Sequence, residues 1–195
     1  MRPTPPLLRA LLVGVAAFAF AACDTIADGG VPRRAFLVAV QIDDAPLSDN
    51  GEGWDGGLGG GPDVYFRIYP VGVAPAGVSG AACTGEDVFN PRDDVELVSR
   101  QSDQPWVDDV SVADFPLVWD AVGRGAEFGD LDAEYRVTVC DYDPLDTDEA
   151  IAQTEVFSFG DFAPDRADGA EDAIRLERRR GSYNTEVRLR VVYGD

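Results

Sequence analysis

Eight short runs of alternating residues, separated by glycine, proline and aspartate, constrain this chain more than any other feature. In RAFLVAVQID the alternation places Phe36, Val38 and Val40 on one face and Leu37, Ala39 and Gln41 on the other. DVYFRIYPV sets Val64, Phe66 and Ile68 against Tyr65, Arg67 and Tyr69. Five more runs lie at 94–100, 115–119, 133–141, 154–159 and 173–178. The last, 185–193, turns Val187, Leu189, Val191 and Tyr193 one way and Arg188 and Arg190 the other. β-branched and aromatic residues fill these runs, and no stretch sustains a helical period. Strands without crossover helices predict an all-β fold, a two-sheet antiparallel sandwich of about eight strands.

The first 22 residues have another origin. Arg2 and Arg9 precede an apolar run from Leu11 to Ala22, which ends on small residues directly before Cys23. A basic head, a short apolar core and a small-residue cut site form a bacterial export signal. The cysteine at the cut makes it a lipoprotein signal, in which an acylated Cys23, carrying palmitate-type chains, becomes the first mature residue. An ordinary cut after Ala22 is the alternative. A retained anchor is the weaker one, because twelve apolar residues are short for a bilayer. The expected organisation is a signal at 1–22, the lipidated cysteine and a polar tether at 23–34, and one domain over 35–195. The expected location is the extracytoplasmic side of a bacterial envelope, in the periplasm or at the outer membrane.

Charge and missing residue types remove whole function classes. The net charge is −20, and loss of Arg2 and Arg9 with the signal takes it to −22. Such acidity repels phosphates and excludes nucleic acid as a partner. There is no histidine, which removes serine–histidine triads and histidine-ligated zinc. No G-x-S-x-G elbow is present, and the acids cluster on loops with no aromatic-lined groove evident, whereas glycosidases need two acids facing across a cleft. The chain is therefore expected not to be an enzyme. With Cys23 assigned to lipid, Cys83 and Cys140 remain as an even pair for an oxidising compartment. Their spacing alone does not establish contact. The arginines clustered near the C-terminal hairpin serve either as an anion patch or, on the favoured reading, as neutralisers of neighbouring acids across the sheet.

Two loops stand out. Residues 48–63 hold seven glycines and four acids but lack the Gly-Lys-Ser/Thr ending of a phosphate loop. Residues 140–149 crowd Asp141, Asp143, Asp146, Asp148 and Glu149 together after an alternating strand. Clustered carboxylates repel one another, and calcium, which takes six to eight oxygen ligands, relieves the repulsion. An EF-hand is excluded: counted from Asp141, position six is Asp146 instead of glycine and position twelve is Ala152 instead of glutamate. An acidic hairpin turn without metal stays equally open.

In order along the chain, these segments resemble the C-two domain, the calcium- and lipid-binding module first described as the second conserved region of protein kinase C. In YRVTVCDYDPLDTDEAIAQTEVFSF, Asp141 and Asp143 fall on the family's first two acids and Glu149 on the third. GPDVYFRIYP is similar to the Ser-Asp-Pro-Tyr-Val motif, with Asp63 and Tyr65 in place, and PLVWDA supplies Trp119 as a buried anchor. Ala152 stands where the family has glycine. The resemblance implies a sandwich with metal-binding loops at one end, where Asp55 (or Asp49), Asp63, Asp141, Asp143 and Glu149 would bind calcium. It also implies that Trp54 and Leu58 contact membrane, Trp54 alternatively folding back over its loop. The implied function is a membrane-anchored, non-catalytic envelope module that contacts anionic lipid or an envelope protein. Its alternative is a metal-independent interaction lipoprotein.

Overall fold

The computed structural model describes residues 32–48, 60–71, 83, 97–144, 147–163, 169, 171–180 and 183–194. Nine strands lie among them: β1 (Arg34–Asp44), β2 (Val64–Pro70), β3 (Leu97–Ser99), β4 (Leu117–Ala121), β5 (Ala126–Phe128), β6 (Tyr135–Asp141), β7 (Glu149–Gln153), β8 (Glu171–Arg180) and β9 (Tyr183–Gly194). Every pairing is antiparallel. The larger sheet runs β3-β4-β1-β9-β8, with β5 also on β1, and the smaller runs β2-β6-β7. The all-β, two-sheet architecture expected from alternation is the one observed. Among the described residues, no helix is long and apolar enough to cross a membrane.

The core lies between the sheets. Val64, Phe66 and Ile68 of β2 and Val137 and Val139 of β6 face Val187, Leu189, Val191 and Tyr193 of β9 across it. Trp119 of β4 is fully buried and meets Phe66 edge-on, with ring centroids 5.3 Å apart. Its indole N–H donates to the Pro105 carbonyl at 2.8 Å, so the ring is buried without orphaning its donor. Each such aromatic or branched side chain contributes about 1.5–3 kcal/mol on burial.

Two sequence expectations are corrected. The face assigned to Phe36, Val38 and Val40 is broken, because a register shift against β9 falls between Leu37 and Ala39. Ala35 and Leu37 point into the core before the shift and Val40 and Ile42 after it, while Phe36 lies outside under the Arg124 guanidinium, 4.2 Å from its ring centre. Gly125 follows this bulge: it has φ +88, and a Cβ there would sit 2.3 Å from the Leu37 carbonyl oxygen. The sixth expected strand is also displaced. The run 154–159 makes only the isolated bridge of Phe157 with Tyr135, whereas Glu149–Gln153 pairs with β6. Alanine fits there because Ala152 packs into the main core and Ala150 into a second cluster on the other face.

That second cluster joins Tyr65, Tyr69, Cys83, Cys140 and Ala150 on the far side of the smaller sheet. A disulfide links Cys83 to Cys140 across 57 positions and pins the β2–β3 connection to this face at Cys83. Below it lies a buried polar row, in which Gln153 Nε2 donates to the Tyr69 hydroxyl at 2.6 Å and Thr138 Oγ1 donates to the same oxygen at 3.1 Å. β2 is thus covered on both sides.

Candidate functional site

The acids meet at one end of the smaller sheet, where Val64 opposes Asp141 and Asp141 opposes Glu149. β2 starts at Val64, immediately after Asp63, and β6 stops at Asp141. Between the strand ends runs the β3–β4 connection, held by paired hydrogen bonds of 2.8 Å between Val64 and Val107. Gly61 makes this close crossing feasible: a Cβ on it would lie 2.2 Å from the Val110 carbonyl oxygen. The loop's glycine therefore admits a neighbouring backbone at this position. Trp106 roofs the crossing, its ring 4.6 Å from Tyr142 and its N–H donating to Asp108 Oδ1 at 2.6 Å.

The carboxylates tie these segments together. The Asp63 amide donates to Asp141 Oδ1 at 2.7 Å, and the Asp63 carbonyl accepts from the Tyr142 amide at 2.8 Å. Asp63 Oδ1 in turn accepts from the amide of Asp109 at 2.9 Å. Asp109 has φ 49, a left-handed conformation that aspartate tolerates better than most residues. Asp148, only 5% exposed, accepts from the Tyr65 hydroxyl at 2.6 Å and from the Asp143 amide at 3.3 Å. The Cys83 carbonyl is 3.1 Å from the same hydroxyl. Three separate stretches are thereby joined through acids that accept N–H and O–H groups.

Asp63 and Asp141 are brought together. Asp143 is half-buried beyond the strand end, so the two-residue period that would align it with Asp141 no longer operates. Glu149 is exposed on the first residue of β7. Asp49, Trp54, Asp55, Leu58 and Cys23 lie outside the described residues. Among the described residues, no group of three or more histidine, cysteine, aspartate or glutamate side chains is placed to hold a metal ion. Asp148 belongs to the acid cluster read in the sequence but not to the expected ligand set, and Asp109 was not singled out, because their partners lie 83 and 46 positions away.

On the outer face of the larger sheet three of the arginines, Arg175, Arg188 and Arg190, are neutralised. Arg175 pairs with Glu177 at 2.7 Å and Glu186 at 2.9 Å, Arg188 with Asp43 at 2.9 Å, and Arg190 with Glu171 at 3.2 Å. The hydrogen bond from Arg175 holds the Glu186 carboxyl below its ordinary range, and Arg100 does the same for Asp120. An acid–base lattice explains these arginines without an anion ligand.

No protein-family model and no curated protein matches the chain. Among solved structures, a C-two domain of a plant extended synaptotagmin 1 (its domain A) superposes with a TM-score of 0.47 at 12% identity, over 84% of this chain and 95% of its own.

Proposed function

We propose that the chain is an exported lipoprotein whose β-sandwich is a non-catalytic interaction module held close to a membrane, and that its acid-rich end works without a metal ion. The observation that carries this reading is the bonding of the acids themselves. Asp63, Asp141 and Asp148 accept hydrogen bonds from neighbouring segments, which gives each carboxylate a structural use beside the buried Cys83–Cys140 disulfide. A buried disulfide also fits an oxidising compartment, in keeping with the export signal. The absence of histidine and of a nucleophile elbow supports a binding role over catalysis.

Calcium is the second reading. The placement of Asp63 and Asp141 at the paired ends of β2 and β6 favours it, but among the described residues Asp63, Asp141, Asp143 and Glu149 do not form a group placed to hold a metal ion. A calcium-dependent module would contact anionic lipid; a metal-independent one contacts an envelope protein.

The anchor is tested by expressing the full chain and its Cys23→Ser variant in a bacterial host with a labelled fatty acid. The parent is expected to carry label and to stay with washed membranes, and the variant to carry none. An unlabelled parent recovered in the soluble fraction would sink the lipoprotein reading.

A further inference from the structure

β8 ends the larger sheet, and no described strand pairs with its other edge. Its ten residues run against β9 without a register shift, unlike those of β1, and include neither proline nor glycine. A long regular edge is a template for another strand, and proteins usually blunt it by shortening, bulging, proline or charge. Only charge is used here, and its order is complementary to itself. Glu171 and Asp172 stand at one end, Arg178 and Arg179 at the other, with Ile174 and Leu176 buried between them.

We propose that β8 is a self-complementary edge through which two copies of this chain join their larger sheets about a two-fold axis. Laid antiparallel against itself about Arg175, the strand sets Glu171 opposite Arg179, Asp172 opposite Arg178 and Ile174 opposite Leu176. The neighbouring registers are worse. Centring on Ile174 sets Glu171 against Glu177, and centring on Leu176 sets Ile174 against Arg178. The two copies of Arg175 that meet on the axis are already neutralised by Glu177 and Glu186. Arg179 is exposed and makes no ion pair with another described residue, so it is available to the second copy.

One strand pair buries less than the roughly 1,000 Å² of a stable interface, so covalent capture is the suitable readout. Residues directly opposite in an antiparallel pair have the Cα separation a disulfide needs. In the purified full chain under mild oxidant, Arg175→Cys is expected to give a linked dimer beyond the background of the parent. Ala173→Cys, whose two copies would lie about 14 Å apart, should be captured roughly tenfold less. Adding Glu171→Arg to the Arg175→Cys variant should lower capture about tenfold, and the exchanged pair Glu171→Arg with Arg179→Glu should restore it. Sedimentation of the two charge variants without the new cysteine should follow the same order. Absence of the dimer, equal capture at 173 and 175, or an exchange no better than the single reversal would overturn the proposal.

Discussion

Asp148 keeps its carboxylate 2.6 Å from the Tyr65 hydroxyl while only 5% exposed, so each group depends on the other for a buried hydrogen bond. Removing the carboxylate leaves a desolvated hydroxyl without that partner. Asp148→Ala is therefore expected to lower unfolding stability by about 2 kcal/mol, and Tyr65→Phe by about 1 kcal/mol. The double variant should lose less than the two single losses together, as urea unfolding would show; strict additivity would contradict the pairing. None of this was legible locally, since the two residues are 83 positions apart. One signal was present. β2 carries Val64, Phe66 and Ile68 on one face and Tyr65 and Tyr69 on the other, and large apolar bodies on both faces mark a strand covered twice. The alternation of Val187, Leu189, Val191 and Tyr193 was fully legible because one side of β9 meets solvent and the other the core.

Elements departed from the sequence pattern where pairing overrode local preference. EAIAQ has weak strand preference beside TEVFSF, yet it forms β7 because Ala150 and Ala152 fit the two covered faces of the smaller sheet. Phe157 and Phe159 instead join Phe128 and Tyr135 in an aromatic cluster with centroids 4.7–6.1 Å apart. The bulge in β1 moved Phe36 and Val40 to opposite faces, a one-residue change that a strict period of two does not register. The cysteines were visible as a pair, but the face they cover was not. Their bond closes a loop of 57 positions, for which chain entropy gives a contribution of about 4 kcal/mol. Cys83→Ser with Cys140→Ser should reduce stability by about that amount in denaturant unfolding under non-reducing conditions. A loss below about 1 kcal/mol would show that the Cys83 contact does little to hold the second layer.

At the scale of the whole molecule the net charge is −20, and among the described residues two arrangements of the acids stand out. On the outer face of the larger sheet, acids alternate with arginines in ion pairs; at the strand ends of the smaller sheet, they accept hydrogen bonds from neighbouring segments. The ion-paired face was legible from the basic, alternating closing strand. The hydrogen-bonded end had the sequence signature of a ligand set, because a cluster of acids has the same composition whether it binds a cation or braces a loop. The two differ in their response to calcium, since a ligand of the native state raises the melting temperature by mass action. Thermal unfolding of the purified chain, in chelator and then in millimolar calcium at matched ionic strength, tests the account most directly. No calcium-specific shift is predicted, only the screening that any salt gives. A calcium-selective rise in Tm that vanishes when Asp141→Asn and Asp143→Asn are combined would contradict it and make this end of the sandwich a metal site.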